Sequence, residues 1–478
     1  MTDRLLKVYH LLPNGMRSAA ASVRGLHLRL WRFGRESKRL VEEMVEHEGW
    51  GEARWRAWQE ERLAYVLHRA ATEVPYYRDQ WAERRRRGDR SSWERLENWP
   101  VLEKEALRAN APRLVAEGCN PRRMFQLHTS GTTGKPVSIW KSRKMMRSLY
   151  ALSAARSMGW HGLTLNDRWA RLGGKLVIPA GQRLPPFWVW NASLKQLYMS
   201  TYHLAPDLSE HYLDALKRYR IRYLFGYTSA LFALAQEALR LGRRDIGMKV
   251  VMTDGEPLLE HQRQVIAEAF QCPARETYGM GESVVAATEC PRGTLHQWPE
   301  LGWLEVLAGA GPAAPGEYGD FVATSLLNTD MPLVRYRVGD RGRLLRPGPA
   351  CGCGRKLPGL EVVEAGSYDL FVTADGRRIF GLEDVFFSTP VRQVQVVQER
   401  LDLIRALYVP APGFTAESAR FITEGVRARM GQVEVILEQV REIPRGANGK
   451  FWIQICKVPE AEREAVLQAR RRLSRAKA

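Results

Sequence analysis

The sequence has few cysteines and no long apolar run. Six cysteines in 478 residues are too few and too unevenly spaced for the disulfide framework of a small secreted domain. No apolar stretch approaches the roughly 18 residues that a membrane-spanning helix needs. Charged residues and Pro13 interrupt the N-terminal apolar residues, which is not typical of a signal-peptide core. We therefore expect a cytoplasmic protein.

Acidic residues are scarce relative to basic ones. The chain has 72 Lys and Arg against 53 Asp and Glu, which gives a formal net charge of +19 at pH 7. Such a surplus indicates contact with something anionic, whether a nucleotide, an acidic carrier, a nucleic acid or a membrane surface. Hydrophobic residues at 45% and charged residues at 26% are ordinary for globular proteins and exclude a mainly disordered chain.

Local patterns divide the chain into three parts, as its length leads us to expect. Residues 1–100 predict a helical N-terminal extension of a large domain, because their apolar residues recur at helical spacing. Residues 101–365 alternate β-rich and helical runs, which predicts an α/β domain with a largely parallel sheet. Residues 366–478 predict a small mobile α+β domain. The expected strands are 249–253, 321–324, 391–398, 403–409 and 433–440, and the expected helices are 208–219, 230–241, 261–270 and 416–430.

The basic N-terminal part allows two interpretations. Its amphipathic helices pack on their own domain or lie on an anionic membrane surface. The arginine-rich run 83–90 lacks the interleaved aromatic residues that nucleic-acid binding favours. We interpret this run as a solvated helix end and turn, and we expect no specific nucleic-acid partner.

The segment 127–136 carries the strongest chemical signal. Glycines let backbone N–H groups approach a polyphosphate, hydroxyls donate to it and lysine neutralises it. The segment is not a Walker loop, since Pro136 follows the lysine where that motif has Ser or Thr. A polar turn between strands is the alternative. The candidate ATP-binding residues here are Thr129, Ser130, Gly131, Thr132, Thr133, Gly134 and Lys135.

Together with four later segments, this motif resembles the adenylate-forming superfamily of acyl-CoA synthetases and adenylation domains. The later segments are 255–257, 278–282, 336–340 and 444–450, in the order that the superfamily has them. The resemblance implies that Gly255, Glu256, Pro257, Tyr278 and Gly279 frame the adenine of ATP. It also implies that Glu282 holds Mg²⁺, that Asp340 holds the ribose and that Lys450 is the catalytic lysine.

Elementary chemistry agrees with these implied roles. Attack of a carboxylate on the α-phosphate of ATP concentrates negative charge in the transition state, so catalysis depends on positioning and electrostatic stabilisation. An ammonium such as that of Lys450 can bridge the acyl oxygen and the phosphate. The carboxylate of Glu282 suits a hard cation.

Within the superfamily, the closest resemblance is to phenylacetate–CoA ligases and their capsular-polysaccharide-associated relatives. It rests on segments 74–78, 201–204, 225–227, 328–336 and 351–355. It implies an acyl-CoA ligase that acts on a carboxylic acid, aromatic acids included, with ATP, Mg²⁺ and CoA. An amine or hydroxyl acceptor in place of CoA is the first alternative. A non-enzymatic basic protein that binds nucleic acid or membrane is the remote one.

The hinge between the expected domains departs from the family pattern. Relatives have Gly-Arg-x-Asp-Asp, and the aligned residues 366–370 keep the hinge acid as Asp369 but have Ser367 in place of the arginine. We expect either that Arg355 substitutes at the ribose or that ATP binding and the second half-reaction are weakened.

Three cysteines and a histidine have the spacing of a metal site. Cys290 and His296 flank one short loop, and Cys351 and Cys353 stand one residue apart. Four N/S ligands predict a closed, structural Zn²⁺ site with no position for a catalytic water. Free cysteines or a disulfide are the alternatives, and the cytosol disfavours the disulfide.

Aromatic residues between 187 and 227 are candidates for the acid-binding pocket. The family layout implies that this region lines the carboxylate site, where aromatic side chains suit an apolar acid. Ordinary core packing is the alternative. The two candidate pocket residues are Tyr202 and Tyr227.

Overall fold

The structure is a computed structural model in which the chain divides into two compact units, Met1–Ala365 and Gly366–Ala478. The described residues are 8–129, 137–175, 177–179, 182, 184–204, 207–309, 311–345, 351–364, 371–376, 378–379, 382, 384–387, 389–443 and 452–475.

The N-terminal part of the large unit is helical, which confirms the prediction from apolar spacing. Its helices are α1 (Asn14–Arg32), α2 (Arg35–His47), α3 (Glu52–Glu73) and α4 (Pro75–Arg86). Pro75 occupies the first turn of α4, where its missing N–H and fixed φ cost nothing. The arginine-rich run 83–90 forms the end of α4 and a turn, in which Arg84 pairs with Asp89 at 2.5 Å.

Helix α1 packs against its own domain with one face and exposes apolar residues on the other. Gly25 allows the close packing, because a Cβ there would lie 2.1 Å from the side-chain oxygen of Asn191. On the outer face, Val23, Leu26 and Leu30 are 74%, 53% and 68% exposed. Contact of this face with an anionic surface stays a prediction. Among the described residues, no helix combines the length and apolarity that crossing a membrane requires.

An eight-stranded sheet forms the centre of the large unit. An antiparallel pair precedes it in the chain, β1 (Phe125–Thr129) and β2 (Val137–Lys141). The sheet itself contains β3 (Trp169–Gly173), β4 (Trp188–Asn191), β5 (Gln196–Ser200), β6 (Tyr223–Tyr227), β7 (Val250–Asp254), β8 (Ala274–Gly279), β9 (Ala286–Glu289) and β10 (Leu295–Gln297). The strand order is β10-β9-β8-β7-β6-β3-β5-β4.

The five central strands of this sheet, β5-β3-β6-β7-β8, are parallel, as expected for the α/β domain. From β3 the chain runs to β5 on one side, whereas β6, β7 and β8 follow one another on the other side. The boundary between β3 and β6 is therefore a topological switch point, where open α/β sheets bind ligands at the carboxyl ends of their strands. The helices of this region are α5 (Lys104–Asn110), α6 (Arg143–Ser153), α7 (Ser209–Arg218), α8 (Thr228–Arg240) and α9 (Glu260–Phe270).

The large unit also contains a second sheet, which is antiparallel. It is present in addition to the parallel sheet that the alternation of β-rich and helical runs predicts. Its strands are β11 (Gly302–Ala308), β12 (Gly311–Pro312), β13 (Gly319–Ser325), β14 (Tyr336–Leu344) and β15 (Leu360–Glu364), in the order β12-β11-β13-β14-β15. Phe321 and Tyr336 of this sheet are buried in one core with Leu67 of α3 and Leu107 of α5. The helical extension thus shares a hydrophobic core with the domain that follows it.

The small unit is α+β, as predicted. Its elements are β16 (Phe371–Val372), β17 (Arg378–Ile379), α10 (Asp384–Phe387), β18 (Val391–Arg400), β19 (Leu403–Pro410), α11 (Ala416–Met430), β20 (Glu434–Gln439), β21 (Gln454–Cys456) and α12 (Glu460–Arg475). The main sheet has the order β20-β19-β18-β21. Ile422 and Val426 of α11 pack with Ile404 and Ala406 of β19 in its core.

Candidate active site

Two of the predicted nucleotide-binding segments meet through a buried hydrogen bond. Tyr278 lies in β8 near its carboxyl end, and Asp340 lies in β14 with 8% of its surface exposed. The Tyr278 hydroxyl donates to Asp340 Oδ2 at 2.6 Å. Burial, with the Asp340 charge, raises the pKa of Tyr278 well above its usual value, so the hydroxyl stays protonated and donates. Asp340 is thereby held in one orientation at the edge of the site.

A second bond joins the same two segments. Tyr336, which begins β14, donates its hydroxyl to Glu282 Oε1 at 3.0 Å. Glu282 is 5% exposed, and burial followed by the charge of Glu282 raises the pKa of Tyr336. Carboxylate oxygen is the ligand type that Mg²⁺ prefers, so the chemistry of Glu282 fits the predicted metal role.

Lys141 is a buried charge in this region that sequence reasoning missed. It is 2% exposed and donates from Nζ to Ser283 Oγ at 2.5 Å, next to Glu282. Burial lowers its pKa to about 8, and the carboxylate of Glu282 partly opposes that fall. The alternation of β2 contains the signal, because Val137, Ile139 and Lys141 share its buried face.

The segment 255–257 follows β7 and turns sharply. Gly255 has φ of +72°, a left-handed conformation that glycine adopts readily. The carboxylate of Glu256 accepts hydrogen bonds from the Ser229 N–H at 2.7 Å and from the Ser229 hydroxyl at 3.1 Å. Glu256 therefore stabilises the positive N-terminal end of α8 and fixes the loop that contains Pro257. Its predicted contact with adenine stays a prediction.

The candidate acid pocket contains a charged pair. Arg171 lies in the middle of β3, and its Nη2 donates to Oδ2 of Asp254, the last residue of β7, at 2.7 Å. The Arg171 guanidinium lies 4.4 Å from the ring centroid of Phe225. Tyr227 ends β6 between them, and burial, with the charge of Asp254, raises the pKa of Tyr227 to about 12. This part of the crevice is more polar than an aromatic-acid pocket would require.

Several predicted residues fall outside the described part of the chain. Thr129 ends β1, but Ser130, Gly131, Thr132, Thr133, Gly134, Lys135, Asp369, Lys450 and the side chain of Tyr202 lie outside the described residues. Gly279 ends β8. The predicted roles of these residues stay predictions.

The cysteine and histidine residues lie on two loops that the fold brings together. Cys290 follows β9, and His296 lies in β10, which is paired with β9. The Gln297 N–H of β10 donates to Pro358 O at 2.9 Å. This bond holds the segment that follows Cys353 next to β10. The ligand atoms of Cys290, His296, Cys351 and Cys353 all lie within 4.8 Å of one another.

The distances fit a tetrahedral zinc site. Zn–S bonds of about 2.3 Å and Zn–N bonds of about 2.0–2.1 Å place two sulfurs about 3.8 Å apart and a sulfur about 3.5 Å from a nitrogen. The Cys290 and Cys351 sulfurs are 3.7 Å apart, and the Cys353 sulfur is 3.5 Å from His296 Nε2. His296 Nδ1 lies 2.9 Å from the carbonyl oxygen of Leu357. A hydrogen bond there orients the ring and leaves Nε2 for a metal.

Arg355 lies beside this cluster. Its Nε donates to Glu48 Oε2 at 2.9 Å, and its guanidinium lies 4.6 Å from the Trp160 ring centroid. Trp160 also donates from its indole nitrogen to Glu48 Oε1 at 2.6 Å. These contacts tie the cysteine loop to the end of α2. The contacts described for Arg355 do not include Asp340, and its substitution at the ribose stays a prediction.

A buried ion network also anchors the helical extension. Arg156 donates twice to Glu300, at 2.8 and 2.6 Å, and His47 of α2 lies 3.0 Å from the same carboxylate. The side chains of Arg156, Glu300 and His47 are 0%, 2% and 3% exposed. The pairs span 144 and 253 residues of sequence, so sequence patterns could not reveal them.

Comparison with known proteins identifies the family. A family model described as AMP-binding enzyme matches residues 56–316, more than half of the chain, and the match includes segments 127–136, 255–257 and 278–282. The chain belongs to the AMP-binding enzyme family. A second model, the CapK C-terminal domain, matches residues 371–457. Membership of the adenylate-forming superfamily is thereby confirmed.

Relatives of this AMP-binding enzyme confirm the expected branch. It is 26% identical to protein CapK of Staphylococcus aureus over 248 residues, covering 50% of the chain and 52% of CapK. It is 27% identical to phenylacetate-coenzyme A ligase of Pseudomonas putida over 303 residues, covering 61% and 67%. The chain thus spans about half the length of CapK and about two thirds of that ligase.

Solved structures confirm the fold. Among them, 2-hydroxyisobutyryl-CoA ligase, in a complex with R3-HIB-AMP, matches with a TM-score of 0.67 and 20% identity over 89% of this chain and 94% of that one. At this identity the likeness shows the fold alone. The AMP-binding enzyme therefore has the architecture of an adenylate-forming CoA ligase.

Proposed function

We propose that the protein activates a carboxylic acid with ATP and transfers the acyl group to the thiol of CoA. One observation carries the proposal: two buried hydrogen bonds, Tyr278 to Asp340 and Tyr336 to Glu282, bring two nucleotide-binding segments together in a chain of the AMP-binding family. These bonds hold two carboxylates at the carboxyl end of a parallel sheet, where such folds bind ligands.

The reaction has two steps. In the first, an oxygen of the acid attacks the α-phosphorus of ATP, and the bond to the β-phosphate oxygen breaks to release pyrophosphate. In the second, the CoA thiol gives up its proton to solvent and its sulfur attacks the acyl carbon to form the thioester. The bond from that carbon to the phosphate oxygen breaks, and AMP leaves. Negative charge accumulates on the phosphate oxygens in the first step, so fixed positive charges and donors lower the barrier.

The family resemblance gives each candidate residue a role, and the chemistry of the residue suits that role. Segment 129–135 supplies hydroxyls, backbone N–H groups and Lys135 to the phosphates. Asp340 accepts hydrogen bonds from the ribose hydroxyls, and Glu282 supplies an oxygen to Mg²⁺, which offsets phosphate charge when bound. Lys450 bridges the acid and the α-phosphate. The bonds from Tyr278 and Tyr336 support the assignments of Asp340 and Glu282, because they fix both carboxylates before the substrate binds.

The similarity to phenylacetate-coenzyme A ligases supports an aromatic or other apolar acid as one substrate class. Tyr227 at the end of β6 is the described aromatic residue of the candidate pocket. The same relatives favour CoA as the acceptor.

A second candidate function keeps the activation and changes the acceptor to an amine or hydroxyl. Two observations favour it. The small unit matches the CapK C-terminal domain, and the segment where this unit begins has Ser367 in place of the arginine of the family pattern. The family match argues against the remote non-enzymatic alternative.

We also propose that Cys290, His296, Cys351 and Cys353 hold a structural Zn²⁺. The donor set and the two edge lengths of 3.7 and 3.5 Å support this role. Four protein ligands leave no open position, so the metal would stabilise the two loops rather than take part in catalysis.

Product analysis tests the proposal. The purified protein is incubated with MgATP, a panel of carboxylic acids, and either CoA or a set of amines and hydroxy compounds, and the products are identified by mass spectrometry. The first candidate predicts acyl-CoA and AMP. Amide or ester formation without thioester would support the second candidate. If none of the acids supports AMP release and the protein shifts DNA in a gel at physiological salt, the non-enzymatic alternative would be favoured.

A further inference from the structure

The face of α1 that contacts its own domain carries polar side chains. Ser18 and Ser22 accept hydrogen bonds from backbone N–H groups of segment 190–193, at 3.3 and 3.0 Å. Arg29 donates to a carbonyl oxygen of the same segment at 2.9 Å. Hydrogen bonds therefore attach this face of the helix to the domain.

The opposite face of α1 is apolar and exposed. Its residues recur at intervals of three and four, which places them on one side of a helix. They are Met16, Ala19, Ala20, Val23, Leu26, His27 and Leu30, and we call them the outer stripe. His27 is the one polar residue among them. A surface helix of a globular protein normally has the reverse arrangement, with its apolar stripe against the core and its polar residues in solvent.

Exposed apolar side chains are concentrated around this helix. Among the described residues, twelve large hydrophobic side chains are exposed, and six of them lie between residues 8 and 30. A seventh, Leu184, is 76% exposed and lies on a loop that Gln182 joins to α1. Gln182 accepts a hydrogen bond from Arg17 at 3.0 Å and donates to the Leu184 carbonyl oxygen at 2.9 Å. Apolar patches of this kind mark interaction surfaces, whereas single exposed apolar residues need no explanation.

The charge of the same segment has one sign. Residues 4–35 contain no Asp or Glu, and seven of them are Lys or Arg. The seven are Arg4, Lys7, Arg17, Arg24, Arg29, Arg32 and Arg35. Arg24 is exposed beside the outer stripe, and Arg35 is exposed at the start of α2. An anionic surface that meets the outer stripe is therefore attracted by cations and repelled by no carboxylate of this segment.

We propose that the outer stripe of α1 binds an anionic membrane surface, with the helix lying parallel to the membrane plane. This binding is separate from the proposed catalytic function and does not depend on it. The stripe runs from Met16 to Leu30, about 21 Å along the helix axis. Interfacial helices bury such an apolar face among the lipid headgroups and acyl chains, while their cations meet the anionic lipids.

A second copy of the chain suits this face less well than a membrane does. In a symmetric dimer the same patch meets itself, so the cations of residues 4–35 would lie against their own copies. That segment has no carboxylate to offset the repulsion. Anionic lipids supply the opposite charge.

Vesicle flotation with the full chain tests this binding. The probes are vesicles of phosphatidylcholine alone and vesicles in which one quarter of the lipid is phosphatidylglycerol, at physiological salt. We expect the partition coefficient to be at least about tenfold higher for the anionic vesicles and to fall when the salt concentration is raised. Leu26→Ser combined with Leu30→Ser should lower it at least about tenfold, and Arg24→Gln should lower it about fivefold.

Helix α11 provides matched controls, because Phe421 is 51% exposed and the Arg420 side chain is 70% exposed there. Phe421→Ser and Arg420→Gln should retain wild-type binding. Melting temperatures show whether each variant folds, and Arg24→Gln still tests the binding if the double leucine variant does not fold.

The proposal is supported if binding depends on anionic lipid, on the outer stripe and on Arg24. Equal binding to both kinds of vesicle, no binding to either, or unchanged binding of the stripe variants would overturn it. Light scattering measures the oligomeric state of the free chain in parallel. A dimer that Leu26→Ser with Leu30→Ser converts to a monomer, in a protein that does not bind anionic vesicles, would also overturn it and assign the outer stripe to a second copy.

Discussion

The buried charge of Lys141 leads to a prediction about stability. The lysine is 2% exposed, and its pKa falls from 10.5 to about 8. One pKa unit corresponds to about 1.4 kcal/mol, so the fall amounts to a cost of about 3 kcal/mol for holding the ammonium in the folded protein. Replacing Lys141 by Met, which fills similar space without charge, is expected to raise the free energy of unfolding at pH 7 by about 3 kcal/mol.

The gain in the free energy of unfolding of Lys141→Met depends on pH. Because the folded-state pKa of Lys141 is the lower one, the unfolded chain binds more protons between about pH 8 and pH 10.5, and wild-type stability rises with pH in that interval. The cost is fully present below pH 8 and disappears above pH 10.5. The advantage of Lys141→Met should therefore shrink to about 2 kcal/mol at pH 9 and about 1 kcal/mol at pH 10.

Urea unfolding of both proteins between pH 7 and pH 10 measures this difference. Lys144→Met is the matched control, since Lys144 is exposed on α6, and it should change stability by less than about 0.5 kcal/mol at every pH. Lower stability of Lys141→Met than of wild type at pH 7, or stability curves that run parallel from pH 8 to pH 10, would contradict the expected cost of the buried ammonium.

Three further substitutions test other parts of the site. Cys351→Ser should lower the zinc content well below one per chain and lower the melting temperature, whereas Cys456→Ser should retain wild-type metal content by elemental analysis; equal content in both would contradict the zinc site. Asp340→Asn should raise the KM for ATP roughly 10–100-fold, as expected for a charged hydrogen bond, and an unchanged KM would remove Asp340 from the ribose. Glu300→Gln should lose about 3–5 kcal/mol in urea unfolding, because Arg156 is left as a buried unpaired charge; a loss under 1 kcal/mol would contradict that role.

The local elements and the motifs could be predicted from the sequence because both depend on nearby residues. The apolar spacing of 416–430 predicts the helix that the structure has at Ala416–Met430. The order of the motif segments predicts the family. The cysteine and histidine spacing predicts the cluster, whose four ligand atoms do converge.

The remaining features depend on pairings between distant parts of the chain. The antiparallel sheet joins β11, β13 and β14 through long-range register, which a local pattern does not contain. His47 and Glu300 meet across 253 residues. Lys141 falls on the buried face of β2 by its alternation, but its contact with Ser283 spans 142 residues and is not a local feature. Charge gives little guidance by count alone, because a count does not place the basic residues on the fold.

Formation of an acyl-adenylate is measured by carboxylate-dependent exchange of labelled pyrophosphate into ATP. Wild type and Lys450→Ala are compared with the same panel of acids, and Lys457→Ala, outside segment 444–450, serves as the control. We expect exchange with at least one acid, a loss of at least a hundredfold in Lys450→Ala and near wild-type exchange in the control. No exchange with any acid would contradict adenylation, and equal exchange in all three proteins would contradict the role of Lys450.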